Sequence, residues 1–507
     1  MARKWWTLLA VSVATFMLLL DITVVNVALP DIQSSLGASL SSLQWVVDAY
    51  SLTLAAFLLT AGSLADRIGR RRVFTFGFLI FTIASFLCGI SPSATLLNLA
   101  RALQGVGGAA MFATSLALIA QEFQGRERGT AIGAWGATIG GAVAVGPLIG
   151  GALTDGLGWE WIFFVNVPIG AAAIALTVSK LENLTAQDPS PIDWPGLITF
   201  SAGLFGLVFG LIRGNAEGWS SPQILASLIA SGALLAAFLV IETRSPRAML
   251  DLSLFRKPAF TGVSIVAFAL SAGMFAMFLY ITLYVQDVLE HSPLEAGLIF
   301  LPLTVLSFFV APVAGKLSAR IPIRFLLGVG LTLVGVALLL MHGVELGDEW
   351  TALLAGFLVA GAGIGMTNPG IAQTAIGVVP PQKAGMASGI NNTFRQVGIA
   401  TGVAALGAIF QSQVSSKLSE LAPNAPSSFA DAVSSGGIHA AVQAAPAGSR
   451  EQLTTAANQA FISGFNEILL VGGIVALVGA ICGFALVRSS DFVVDPGSET
   501  ATEPAAA

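Results

Sequence analysis

GSLADRIGRR at residues 62–71 and GKLSARIPIR at residues 315–324 are two copies of one pattern offset by 253 positions. Gly62 and Gly315, Leu64 and Leu317, Arg67 and Arg320, Ile68 and Ile321, and Arg71 and Arg324 coincide. Each copy follows one long apolar run and precedes another, so the same short basic turn recurs in two parts of the chain. Membrane transporters are often built from such internal repeats, with the substrate site between them. The spacing predicts two related bundles of six helices separated by an inserted pair.

Composition agrees. Of 507 residues, 55% are hydrophobic and 10% charged, against roughly 25% charged in soluble domains. The mean hydropathy is +0.83, and the apolar residues come in blocks near the roughly 20 residues that a membrane-spanning helix needs. Fourteen spans are expected, near 6–28, 43–63, 73–91, 95–120, 130–152, 160–179, 194–212, 223–242, 259–285, 294–314, 325–342, 351–376, 386–410 and 464–487. They define an all-α polytopic membrane protein: an N-terminal bundle over 1–180, an inserted pair over 194–242, and a C-terminal bundle over 257–487. With the N-terminus cytoplasmic, 18 of the 23 Lys and Arg fall in cytoplasmic segments, while Arg213, Lys417 and Arg450 are outside and Arg101 and Arg395 are within helices. That asymmetry places both termini in the cytoplasm. The Ala-, Ser-, Pro- and Gln-rich stretch 411–463 reads as an outside loop, partly helical or mobile, and 489–507 as a disordered tail. MARKWW resembles the start of a signal peptide, but the run behind it extends to about Leu29, contains Asp21 and lacks a cleavage region, so it reads as a retained first helix.

Several function classes are excluded. The basic residues form no continuous patch for nucleic acid. Cys88 and Cys482 lie in separate apolar blocks and offer neither a disulfide framework nor a metal site, and His291, His342 and His439 lack ligand spacing. No catalytic triad or phosphate-binding loop is present, so the chain reads as a carrier and not an enzyme, with no cofactor or metal, driven by an ion gradient.

Candidate site residues are the polar groups inside apolar spans. Asp21 lies deep in the first span; an ionised carboxylate there costs about 3 kcal/mol on insertion scales, so it should face a cavity or partner and be able to take up a proton. The plainer alternative is an acid that only packs helices. Asp48 in the second span can attract cations or serve as a second proton site, or be a solvated carboxylate at a helix end. Two such acids suggest a cationic or protonatable substrate. Arg101 and Gln104 open the fourth span, where a guanidinium that cannot deprotonate needs acceptors, either in a proton site or as a bridge between helices. In the fifth span Gly136, Gly140, Gly141, Gly146, Pro147, Gly150 and Gly151 suit close packing and a pivoting interface. Asp66 amid Arg67, Arg70, Arg71 and Arg72 can latch one conformation, while the arginines also orient the chain. In the C-terminal half Asn368, Gln373, Asn391, Asn392, Arg395 and Gln396 are candidates for lining a cavity or for hydrogen bonds between helices. No acid lies deep in that half, which assigns proton chemistry to the N-terminal half.

These residues resemble the fourteen-helix drug:proton antiporter branch of the major facilitator superfamily, the EmrB/QacA-type family, over nearly the whole chain. Leu20 to Pro30, including Asn26, looks like its first-helix motif, Gly62 to Arg72 its loop motif, Arg101 to Gly108 its fourth-helix motif, and Gly141 to Gly151 its antiporter motif. Trp159 to Gly170 is similar to the opening of its sixth helix, with Glu160 where the family usually has Arg or another polar residue; Ser292 to Leu298 and Ala384 to Gln396 also look like the branch. The resemblance implies proton coupling or cation recognition at Asp21 and Asp48 and proton relay at Arg101; Asn26 is a further candidate for lining the cavity. Some members with broad dication specificity carry an acid in helix thirteen, which this sequence lacks.

The expected function is therefore proton-coupled efflux of small lipophilic or cationic molecules across the plasma (inner) membrane by alternating access. The expected partners are a small-molecule substrate, protons and the lipid bilayer, with the chain working as a monomer. The rivals are a specific metabolite carrier in the same fold and a non-transporting membrane sensor.

Overall fold

The computed structural model describes residues 2–38, 40–182, 192–245 and 248–493. The chain is helical throughout these residues. α1 (Arg3–Leu36), α2 (Leu40–Ile68), α3 (Arg70–Gly89), α4 (Ala94–Glu122) and α5 (Gly125–Leu157) are followed by the short α6 (Trp161–Phe164) and by α7 (Asn166–Lys180). α8 (Trp194–Glu217) and α9 (Pro222–Arg244) pack on each other as a pair. α10 (Pro258–Leu270) continues through π-helical turns into α11 (Met277–Leu283), and then come α12 (Pro293–Ile299), α13 (Leu301–Leu317), α14 (Ile323–Met341), α15 (Leu354–Gly377) and α16 (Ala384–Leu421). α17 (Ser427–Ser434) and α18 (Ile438–Gln443) lead to the long α19 (Arg450–Leu486).

Among the described residues twelve helical stretches are long and apolar enough to cross a membrane. The fifth and tenth expected spans fall on α5 and on α12–α13, whose apolar stretches Leu148–Leu157 and Leu301–Leu317 are shorter. Exposed apolar residues fall in stripes at helical spacing, Phe76, Leu79, Ile83 and Phe86 on α3 and Ile474, Val478 and Ile481 on α19. α9 packs on α8, and only 17% of its most apolar window is buried. It is the peripheral member of its pair. α8 lies inward of it, against both α2 and α16.

Small residues set the helix spacing, as they do in membranes where burial from lipid supplies little driving force. The seam between the bundles shows this most plainly at the end that carries the chain's termini. Gly62 meets the Gly385 carbonyl and Gly129 the Gly315 carbonyl, so closely that a β-carbon at either would clash. Gly315 belongs to the repeat that first suggested two halves. Gly69 (φ 108°) makes the one-residue turn between α2 and α3, a backbone region that costs glycine little.

Several expectations need correcting. Arg213 is not in a loop: α8 extends past residue 212 and carries it buried. The stretch 411–463 is partly helical, in line with the sequence reading, but it is also packed, with Phe429, Val433, Ile438 and Val442 all buried. Each of these i, i+4 pairs sits on a helix of eight residues or fewer, too short to show as periodicity. At the other end, Phe492 packs on Gly377 and Val493 donates from its amide to the Gly377 carbonyl (2.9 Å). The rest of the expected disordered tail, 494–507, lies outside the described residues.

Candidate functional site

Three of the residues singled out by sequence converge inside the N-terminal bundle. Arg101 donates to the Asp21 carboxylate, to Gln104 Oε1 (2.7 Å) and, through Nε, to the Val46 carbonyl (2.9 Å). Gln104 Nε2 donates to Asp21 Oδ1 and to Ser85 Oγ, both at 2.8 Å. Asn166 Nδ2 reaches Ser85 Oγ (3.1 Å) and Asp21 Oδ1 (3.4 Å). The guanidinium lies over the Tyr50 ring, 4.3 Å from its centroid. Asp21 and Arg101 side chains are each 1% exposed. α1, α3 and α7 thus each contribute one polar side chain, and α4 two, to a site that gives Asp21 several donors and its only charge partner among the described residues. A buried pair like this is expensive to break by removing one partner, because the other is left charged and dry.

The glycines of α5 lie beside this cluster. Gly146 abuts Thr23 and Gly150 lies against Val24, two and three residues past Asp21 on α1; a β-carbon at Gly141 would sit 3.8 Å from Phe308 on α13, and one at Gly151 would have nothing within 4 Å. α5 therefore touches the acid-bearing helix on one side and the opposite bundle on the other. The side chains of Asn26 and Pro147 lie outside the described residues.

Asp48 is not part of the cluster. Its carboxylate is 3.7 Å from Arg213 Nη1, and Arg213 also donates to Glu217 (2.8 Å) and Gln44 (2.8 Å) beneath the Trp45 ring. In this conformation each intramembrane acid of the N-terminal half already faces an arginine.

A second polar assembly closes the seam at the termini end. Asp66, in the last turn of α2, accepts from Arg70 Nε (3.2 Å) and Nη2 (3.0 Å) and from the Gly385 (3.0 Å) and Met386 (2.8 Å) amides. Those amides are free N–H groups at the start of α16, where the helix dipole favours an anion. Arg70 in turn donates to the carbonyls of Ala117 (3.1 Å) and Pro381. Arg67 reaches the Ala248 carbonyl (3.0 Å) and Arg71 the Val178 carbonyl (2.8 Å). Next to them Lys383 pairs with Asp251 (2.6 Å); burial raises the Asp251 carboxyl, but hydrogen bonds from Lys383 and Ser253 outweigh it and leave the group below the usual carboxylate range. At the equivalent place in the second repeat stands Ala319, and Arg320 and Arg324 are exposed.

In the C-terminal half Asn368 and Gln373 are buried on α15, and Asn391, Asn392 and Arg395 on α16, while Gln396 is half-buried. None of them joins the Asp21 cluster.

Sequence reasoning missed Ser85, Tyr50 and Asn166. Asn166 had a signal, as a lone amide in an apolar FFVNVP run; Ser85, one small hydroxyl in an apolar helix, had none.

The model of the Major Facilitator Superfamily matches residues 11–403. The chain belongs to the Major Facilitator Superfamily. It is 36% identical over 413 residues to the multidrug resistance protein Stp of Mycobacterium tuberculosis, covering 81% of this chain and 77% of Stp. It is 34% identical to the tetracenomycin C resistance and export protein of Streptomyces glaucescens, covering 94% and 90%, and 37% identical to the puromycin resistance protein pur8 of Streptomyces alboniger, covering 80% and 82%. The fold matches the human organic anion transporter MFSD10 with a TM-score of 0.61 at 14% identity, covering 93% of this chain and 99% of MFSD10. It matches the proton:xylose symporter XylE at 0.62 and 13%, covering 96% of each. As a superfamily member with these bacterial relatives, the chain is a multi-pass plasma-membrane transporter of small molecules.

Proposed function

We propose that this chain exports small lipophilic molecules, drugs among them, by exchanging them for protons, with Asp21 as the proton carrier. The observation that carries the reading is the burial of Asp21 against Arg101 and Gln104 inside a bundle whose relatives bear names of drug resistance and export. In this reading the chain crosses the bilayer fourteen times as six, two and six helices, with both termini cytoplasmic. The glycine seam and the Asp66 latch then close the cytoplasmic side, which makes the described conformation outward-facing or occluded.

Coupling follows from competition. A proton on Asp21 removes the charge that holds Arg101, so the guanidinium must find other acceptors, and the α1–α4 contact weakens. The Thr23–Gly146 and Val24–Gly150 contacts couple α1 to α5, which also meets α13, so a shift of α1 reaches the bundle interface. Substrate and proton can exchange only if they favour different states, because a ligand moves an equilibrium by its differential affinity alone. The cation preference suggested by the two acids requires Asp21 or Asp48 to trade its arginine for the substrate.

The test is proton release from energised inverted membrane vesicles, followed with a pH-sensitive dye as a panel of lipophilic cations and neutral antibiotics is added. A response that vanishes in Asp21→Asn supports the assignment. A full response in that variant, at equal expression, removes Asp21 from coupling; silence of the wild type across the panel favours a dedicated metabolite carrier or a non-transporting sensor.

A further inference from the structure

Ser388, Asn391, Asn392 and Arg395 occupy positions i, i+3, i+4 and i+7 of α16 and so share one face. Their exposures are 0%, 2%, 1% and 8%. Each has a buried polar atom without a partner: Ser388 Oγ, both amide atoms of Asn391 and of Asn392, and Arg395 Nε. Among the described residues no hydrogen bond or ion pair reaches the Arg395 guanidinium. Asn368 Oδ1 and Gln373 Nε2 of α15 are likewise unpartnered, but the charged groups Arg101, Asp48 and Asp66 of the N-terminal half are each paired. Arg101 has four partners; Asp48 has Arg213; Asp66 has two amides and Arg70. The acids that face the interior of the N-terminal half are therefore already committed.

The stripe is also well placed. Gly389 abuts Leu58 and Leu59 of α2, and Gly398 abuts Phe268 of α10. On the helical wheel the four residues lie between those two contact faces, one toward each bundle. The antiparallel register, Gly62 at Gly385 and Leu58 at Gly389, carries Arg395 to the level of Leu52. Val46, which Arg101 contacts, is six residues farther along α2, or about 9 Å at 1.5 Å per residue. Arg395 is thus a second interior cation, offset along the axis from the proton site.

Arginine stays protonated at any accessible pH and presents five N–H donors in a planar fork that fits carboxylate, sulfonate and similar oxyanions two at a time. Two asparagine amides add four more donors to the same face. A buried face with one fixed positive charge, a surplus of donors and no acid is complementary to an anion rich in acceptors. We propose that Ser388, Asn391, Asn392 and Arg395 form a binding subsite for an anionic group of the exported molecule, a carboxylate, sulfonate or phenolate. The assignment deepens the export reading and rests on it, and it points the substrate class away from simple cations. The substrate it fits is amphipathic, with an acidic group held at Arg395 and an apolar body against the surrounding α10 and α15 side chains.

The test is a binding titration on the full-length protein in lipid nanodiscs, without a proton gradient, using fluorescence anisotropy of two related dyes: fluorescein, an anion, and rhodamine 6G, a cation. Saturable fluorescein binding should weaken at least tenfold in Arg395→Gln and only partly in Arg395→Lys, while rhodamine 6G binding changes less than threefold. If Arg395→Gln fails to give monodisperse protein, the Asn391→Ala/Asn392→Ala double variant carries the same comparison. Equal losses for both dyes would make Arg395 structural and overturn the proposal, as would the absence of saturable fluorescein binding to the wild type. Fluorescein binding that persists in Asp21→Asn, together with a silent vesicle assay, would instead fault the export reading while leaving the anion subsite in place.

Discussion

Arg101 and Arg395 are both guanidiniums buried within apolar helices, and the surroundings of the two could hardly differ more. Arg101 meets a carboxylate, an amide, a carbonyl and an aromatic face, drawn from three helices. Among the described residues Arg395 meets none of these, and the asparagines beside it are equally unpartnered. Burial of a charge is tolerable only when it is paired, so the first site is internally complete and the second is built to be completed from outside. The N-terminal half holds the protein's own counter-charges; the C-terminal half leaves its donors for something that comes and goes.

The sharpest way to break this contrast is to remove the partner at the complete site. Arg101→Ala leaves Asp21 buried without a counter-ion, and should lower stability by about 3–5 kcal/mol and abolish export; thermal unfolding of the purified protein measures the first. Asp21→Asn keeps the side-chain shape but leaves Arg101 without its counter-ion and can accept at only one of the two oxygens that receive Arg101 and Gln104, so it should abolish the vesicle response and lower stability by about 3 kcal/mol. If Asp21→Asn keeps a full vesicle response at equal expression, the cluster is a structural bridge and not a proton site. At the seam, Gly385→Ala drives a methyl into the Gly62 carbonyl and Asp66. Transport should fall several-fold with the protein still folded, and accessibility of a reporter cysteine on the termini side should rise. Asp66→Asn keeps the acceptor but loses the charge at the α16 amides, a smaller effect of about 1 kcal/mol on the closed state. Smallest of all, Asp48→Asn should alter transport less than threefold, since Arg213 retains Glu217 and Gln44.

Much of this was readable from the chain. The 253-residue repeat pointed to two halves because its glycines and arginines serve the same kind of turn, and Asp21, Arg101 and Gln104 stood out because polar groups in apolar spans need partners. What could not be read were contacts between groups far apart in sequence. Asp66 was suspected of latching, but the amides it grips lie 319 and 320 residues away. Arg213 looked like a loop charge because hydropathy falls before α8 ends. Asn391, Asn392 and Arg395 were visible as polar residues, yet only packing distinguishes a hydrogen bond between helices from a donor left unused.

The docking of Phe492 and Val493 on Gly377 has a practical corollary. Because the chain is pinned there, at the foot of α15 and a few residues before the Pro381 to Met386 segment, position 493 is tethered to the edge that would move in the proposed cycle. A dye at Val493→Cys, with an acceptor on the α2–α3 turn, would convert each opening of the seam into a change in energy transfer, giving a single-molecule clock for the transport cycle.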